Sequence, residues 1–186
     1  MTILTLDTDT FQSAAPRGLR AESIGLTPAQ FHDRYCEHTG PIRLGDWSPA
    51  GSRGAEFTAT LEFTDHLRTV IASGSPVAAM TSALYDEGYP VEILQFHQRR
   101  TPAGTATFVQ CEYNGRRGWG AALADDGAES TVRAMIAGVN LLGHCAPPAR
   151  TRAAPPGGGG GRGRGGGGSE APWGAVWMWC CFFGGF

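Results

Sequence analysis

The 186-residue sequence predicts an α+β fold of two tandem βββα units with pseudo-twofold symmetry, followed by a Gly-rich C-terminal tail expected to be disordered. Three observations carry this. Residues 56–63 alternate strictly between apolar and polar, Asn114-Gly115 separates two strand-like runs, and helix-start signals at Ser75-Pro76 and at Asp126 each follow three strand-like segments.

Residues 1–23 have no sustained periodicity and contain Ala14-Ala-Pro-Arg-Gly, so they are expected to form a flexible leader with little core content. Order is expected from residue 24. Thr27 fits an N-cap, Pro28 the first helical position and Gln30 the capping-box partner, with Leu26 and Phe31 placed for a hydrophobic staple. That short helix runs to about Glu37 and carries Phe31 and Tyr35 on one face.

From Ile42 the period becomes strand-like. Phe57, Ala59, Leu61 and Phe63 fall on one face of the next strand and Glu56, Thr58, Thr60 and Glu62 on the other, the pattern of a sheet with one wet face. Arg68 to Ser73 makes a third strand. Ser75 then caps and Pro76 opens a helix whose apolar Val77, Met80 and Leu84 share a stripe, and Gly88 supplies a left-handed stop.

The order repeats. Val91 to Gln98 is strand-like, and Thr105 to Tyr113 and Arg117 to Leu123 flank Asn114-Gly115, where both residues tolerate the positive φ of a two-residue hairpin turn. Asp126 and Glu129 offer a second capping box, opening a helix with Val132, Met135, Ile136 and Val139 on one stripe. The domain is expected to end near residue 145. Beyond it, 146–186 is a Pro/Gly-rich low-complexity tail with an aromatic end from Trp173.

A formal net charge of −2 calls for neither nucleic acid nor a membrane surface, and no stretch reaches the roughly 18 apolar residues that a spanning helix needs. All fifteen basic residues are Arg. The cysteines (Cys36, Cys111, Cys145, Cys180, Cys181) form no C-x-x-C pair and no secretory h-region precedes them, so a reducing, cytoplasmic setting is expected. The histidines (His32, His38, His66, His97, His144) show no His-x-His or His-x-x-x-His spacing, and no metal or other cofactor is expected. The glycine run contains a formal G-x-G-x-x-G with no strand before it or helix after it, which rules out a dinucleotide site. Arg162 and Arg164 are too few to bind a phosphate backbone.

At Gly74-Ser-Pro-Val-Ala-Ala-Met-Thr-Ser-Ala-Leu-Tyr-Asp-Glu-Gly-Tyr the chain resembles the G-x-G-P-x-x-A-x-x-x-A-L-x-x-x-G segment of the C-terminal regulatory domain of 2-isopropylmalate synthases. The resemblance continues through Val91-Glu-Ile-Leu-Gln-Phe-His, the strand Ala106 to Tyr113, Trp119-Gly-Ala-Ala-Leu and Ser130-Thr-Val-Arg-Ala-Met-Ile-Ala-Gly-Val-Asn, and reaches back to Thr27-Pro-Ala-Gln-Phe. It implies an allosteric module of leucine biosynthesis that pairs as a homodimer and binds leucine, as feedback inhibitor, near the interface. Citramalate- and homocitrate-type relatives use similar domains for other amino-acid effectors. The acyl-CoA-dependent acyltransferase chemistry of that family resides in a barrel that 186 residues cannot also contain, so no catalytic residue is assigned. Two other roles are compatible with the same resemblance: a purely structural dimerisation protein, and a subunit acting in trans on a separate catalytic barrel.

Elementary chemistry gives an effector site a place. An amino-acid carboxylate needs N–H donors at a helix start, which Ser73, Gly74 and Ser75 precede; the ammonium needs acceptors, for which Asp125 and Asp126 are candidates. The resemblance places Val77, Ala78, Ile93 and Phe96 at positions that line the apolar pocket. Two departures bear on it. Ser75 stands where the family often has Gly, narrowing backbone access, and Gly127 stands where an apolar residue commonly closes the pocket, removing a wall.

Overall fold

The computed structural model describes residues 10–36, 39–49 and 56–143. The tail over 146–186, and with it Cys180, Cys181, Arg162 and Arg164, lies outside them, as do His38, His144 and Cys145. After a helical turn at 10–13 come α1 (Arg17–Glu22) and α2 (Pro28–Tyr35). The first unit follows as β1 (Arg43–Pro49), β2 (Glu56–Glu62), β3 (Leu67–Ser73) and α3 (Pro76–Asp86), and the second as β4 (Glu92–Thr101), β5 (Gly104–Tyr113), β6 (Arg116–Ala124) and α4 (Gly127–Gly143). Each trio is an antiparallel sheet with strands in sequence order, so the two predicted βββα units are present.

The local signals act as expected. Thr27 and Gln30 form a reciprocal capping box at α2, Asn114 and Gly115 take φ of 52° and 72°, and Gly88 takes φ of 83°. At that last site the Gly88 N–H donates to the Tyr85 carbonyl at 3.0 Å and the Tyr89 N–H to Leu84 at 2.8 Å, which satisfies the last carbonyls of α3. The second capping box is only half made. Asp126 caps α4, but the Glu129 carboxylate accepts from Arg133 one turn on, at 2.8 Å.

One core lies between the two units. It joins Phe57, Ala59, Leu61 and Val70 of the first sheet with Met80 and Leu84 of α3, Val109, Cys111 and Tyr113 of β5, and Val132, Met135 and Val139 of α4. Each fully buried aliphatic side chain contributes roughly 1.5–3 kcal/mol. The first sheet keeps a wet outer face, where Leu67 and Ile71 stand exposed.

The second sheet is covered on both faces, and here the leader expectation is corrected. Residues 10–23 fold against the back of β5 and β6, where Phe11, Ala14, Ala15 and Leu19 join Phe31 and Tyr35 over Ala106, Phe108, Trp119 and Ala121. Phe11 stacks on Phe108 at 5.2 Å and meets Phe31 edge-on at 5.8 Å. The Tyr35 hydroxyl donates to Glu22 at 3.2 Å, tying α2 to α1, and burial pushes its pKa to about 12. A back face of alternating apolar residues needs a cover, and the four apolar residues at 11–19 supply it.

Helix α4 sits unusually close to β6. A Cβ at Gly120 would run into the Ala134 carbonyl and the Gly138 amide, both backbone groups that cannot yield. Asn140, on the same helix, reaches across to the chain before β1: its amide accepts from the Ile42 N–H at 3.2 Å and donates to the Ile42 carbonyl at 2.7 Å, in a buried setting. Gly40 is the residue that lets Asn140 approach, since a Cβ there would overlap the Asn140 side chain.

At the far end of α3 a charged latch holds the helix to the β2–β3 turn. His66 lies between Asp65 (2.7 Å) and Glu87 (2.9 Å), while Arg68 pairs with Glu87 at 2.9 Å and with Asp86 at 2.6 Å. The Phe63 ring stacks on the His66 imidazole at 4.8 Å. The hydrogen bond to Asp65, seconded by that to Glu87, raises the His66 pKa, and the Arg68 hydrogen bond, seconded by His66, lowers that of Glu87.

Three outcomes follow from this packing. Gly120→Ala is expected to cost at least about 3 kcal/mol in urea denaturation, because backbone rather than side chain must move. Asn140→Ala is expected to cost roughly 2–4 kcal/mol, since it leaves both polar groups of the Ile42 peptide buried and unpaired. For the latch, the raised His66 pKa contributes stability below about pH 6.5 that is lost as pH rises through the folded value, and the lowered Glu87 pKa contributes stability above about pH 4.3 that is lost on acidification. The melting-temperature difference between the wild type and His66→Gln should therefore peak between those values and shrink on both sides; a difference that grows above pH 8 would contradict the latch.

Candidate functional site

At the start of α3 the chain leaves β3 through Ser73 and turns at Gly74, whose φ of 117° only glycine adopts without strain. The side of Gly74 that a Cβ would occupy is open space. Ser75 is the N-cap, its hydroxyl accepting from the Ala78 N–H at 3.4 Å, and its carbonyl takes the Ala79 N–H at 3.1 Å. Pro76 has no N–H, so Val77 carries the first-turn donor that remains for an incoming carboxylate. The Val77 side chain packs half-buried against the core, while Ala78 is exposed. Ser75 thus occupies the Ala78 donor.

At the start of α4 one Asp126 carboxylate oxygen accepts from the N–H groups of Ala128 (3.1 Å) and Glu129 (3.0 Å). Asp125 beside it is exposed, and among the described residues it takes no hydrogen bond or ion pair. Of the two, Asp125 is the acceptor open to an ammonium group, with Asp126 committed to the helix. No described hydrogen bond or ion pair links the turn at 73–75 to Asp125 or Asp126.

Ile93 and Phe96 lie on the edge strand β4. Three residues apart, they would point to opposite faces of a regular strand. A bulge between Ile93 and Gln95 adds one residue at Leu94, so Ile93 pairs with Cys111 and Phe96 with Val109, both on the face that α4 covers. Phe96 remains 39% exposed because β4 extends past the helix, which packs over β5 and β6.

The same face carries a residue that sequence reasoning missed. Gln98 pairs with Thr107, and its amide nitrogen donates to the Gly127 carbonyl at 2.8 Å and to the Thr107 hydroxyl at 2.9 Å, with the Thr131 hydroxyl at 3.2 Å. Beneath it Thr107 and Ser130, both fully buried, share a hydrogen bond at 2.6 Å. The amide lies directly over Gly127: a Cβ there would be 3.3 Å from Gln98 Oε1. The gap expected at Gly127 is accordingly filled by a side chain from β4. Three hydroxyl residues at core positions of β5 and α4 were the only signal available in the sequence.

Elsewhere, an open cleft of about 1100 Å³ runs between α2, the β1 end of the first sheet and α4, with His32, Arg43, Leu67, Ile136 and Asn140 on its walls. None of the nine predicted effector residues lines it. Among the described residues the buried atoms His97 Nε2 and Tyr113 Oη meet no hydrogen-bond partner; burial, helped by Arg99, lowers the His97 pKa. Burial pushes the Cys111 thiol up to about 12, so it is an inert core residue. Among the described residues no three His, Cys, Asp or Glu side chains converge as a metal site, and no helix is long and apolar enough to cross a membrane.

No protein-family model matches the chain. It is 29% identical over 115 residues to 2-isopropylmalate synthase of Clavibacter michiganensis subsp. michiganensis, covering 58% of this chain and 20% of that enzyme. It is 29% identical over 119 residues to that of Corynebacterium glutamicum (59% and 19%), and 25% identical over 137 residues to that of Kineococcus radiotolerans (64% and 24%). The chain thus spans about a fifth of the length of the curated relatives it matches. With two βββα units in place, the resemblance read from the residues and the comparison agree: over more than half its length this chain is similar to a partial region of 2-isopropylmalate synthase.

Proposed function

We propose that the chain is an amino-acid-binding regulatory and dimerisation module of the 2-isopropylmalate synthase kind, serving feedback control of leucine biosynthesis and carrying no catalytic role of its own. The observation that supports this best is the presence of two βββα units in a chain that is similar, over more than half its length, to part of that synthase. The local geometry is compatible with a zwitterion. Gly74 and the Val77 N–H offer an approach for the carboxylate, Asp125 an acceptor for the ammonium, and Ile93, Phe96 and Val77 apolar surface for the side chain. In this reading the chain works as a homodimer, either with a catalytic portion of a longer enzyme or in trans with a separate barrel subunit.

A structural dimerisation protein with no effector is the second reading. What favours it is Gly127, whose open side is taken up by the Gln98 amide in place of an apolar wall.

Titration calorimetry of the full chain with leucine, isoleucine, valine and lysine separates the two. Saturable heat with at least one of them is expected, weakened about tenfold by Asp125→Asn with melting unchanged, since Asp125 is exposed. A dimer that gives no heat with any of the four supports the structural reading and ends the sensing one.

A further inference from the structure

Strand β4 is the outer strand of the second sheet, and among the described residues nothing pairs with its free edge. It is also the longest edge strand among them, and seven of its ten residues are exposed, so a row of backbone N–H and C=O groups stands open. The bulge at Leu94 sorts its side chains: Ile93, Phe96 and Gln98 take the α4 side, and Glu92, Gln95, His97 and Arg99 take the back. On the back, Glu92 lies directly opposite Glu112, an unfavourable like-charge pair. Glu112 is taken by Arg117 at 2.7 Å, and among the described residues Glu92 has no ion pair. Arg99, opposite Ala106, has none either.

Resting on the homodimer part of the reading above, we infer that two copies join edge to edge, β4 against β4, antiparallel about a twofold axis at Phe96, so that two three-stranded sheets become one. An axis normal to the sheet keeps each face on its own side, so a back residue meets only a back residue. Outward from Phe96, with the bulged pair Ile93-Leu94 taking one place, Gln95 meets the partner's His97, Ile93 meets the partner's Gln98, and Glu92 meets the partner's Arg99. Symmetry makes each contact twice. Both unpaired charges of β4 thereby face an opposite charge, and the acid crowded by Glu112 gains a base. One place either way loses this: centred on His97, Glu92 meets the partner's Thr101, and centred on Gln95, Arg99 runs past the start of the partner strand. On the α4 side Phe96 lies against its own copy, which covers apolar surface that a single copy leaves 39% exposed. The seam thus runs beside Ile93 and Phe96 of the proposed effector site.

Sedimentation equilibrium of the full chain should show a reversible dimer. Glu92→Arg and Arg99→Glu each set like charges opposite one another twice, and each should weaken it about tenfold, while the double variant Glu92→Arg/Arg99→Glu restores it. Both residues are exposed, so the fold of the single copy is not at stake. Independently, Phe96→Cys should oxidise to a disulfide-linked dimer above the wild-type level, since opposite Cα atoms lie about 4.5–5.5 Å apart. Arg100→Cys, roughly 26 Å from its own copy, should not. A wild-type dimer that neither reversal weakens, a double variant as weak as the singles, or equal cross-linking at 96 and 100 overturns the β4 seam and leaves the homodimer reading in place. A chain that stays monomeric at millimolar concentration ends that reading and the seam with it.

Discussion

The contact between α4 and β6 through Gly120 and Gly138 fixes the rest of the structure. With no side chain at 120, the helix backbone settles onto the strand, and Gly138 in turn sits against Cys111 of β5. Close approach makes α4 a core element on nearly every side: Val132, Met135 and Val139 bury into the common core, and Asn140 reaches back to Ile42. The first unit is attached largely through that helix, by the Asn140 hydrogen bonds and by α3 packing alongside. Moving α4 outward by the width of one methyl would loosen all of these together, because interiors packed to crystal density transmit displacement rather than absorb it.

The two units share an order of elements but use different chemistry at their helices. Helix α3 packs one stripe and is held at its far end by a half-exposed ionic latch, in which His66 and Arg68 share Glu87. Helix α4 is buried along most of its length; the Asp126 carboxylate caps its part-buried start, and the buried contacts beneath that first turn are made by neutral hydroxyl and amide groups. Solvent explains the division. Charged groups near the surface keep much of their hydration and bridge at little cost, whereas at the buried helix the same charges would require desolvation that only full pairing offsets, so neutral hydrogen bonds take their place.

Much of this was legible in the residues. The strict alternation over 56–63, the Asn114-Gly115 turn and the caps at Thr27, Ser75 and Asp126 each specify local geometry by a local rule, and each took the conformation that rule requires. What was not legible depended on contacts distant in sequence. Phe11, Ala14 and Leu19 look like scattered apolar residues until the back face of β5 and β6 exists for them to cover. The bulge at Leu94 leaves no compositional mark, yet it brings Ile93 and Phe96 to the same face, where simple alternation separates them. Gln98 reads as one polar residue in a polar strand end, and only the register of β4 on β5 and the start of α4 disclose its partners.

The polar cluster at Gln98 also bears on why the core is built as it is. Thr107 and Ser130 occupy positions where valine and alanine would bury apolar surface without any need for pairing, and a satisfied neutral hydrogen bond adds only about 1 kcal/mol over such a replacement. Stability alone therefore gives these hydroxyls little reason to be there. Their geometry does something that apolar residues could not. Together they hold an amide on an exposed edge strand in a single orientation, with its nitrogen turned inward and its oxygen outward over a glycine. A side chain with that many rotatable bonds, left to solvent, would sample several rotamers and present no fixed group. The buried hydroxyls therefore meet in folding the cost of ordering a side chain that solvent would leave mobile, and through it they tie the edge strand β4 to the first turn of α4.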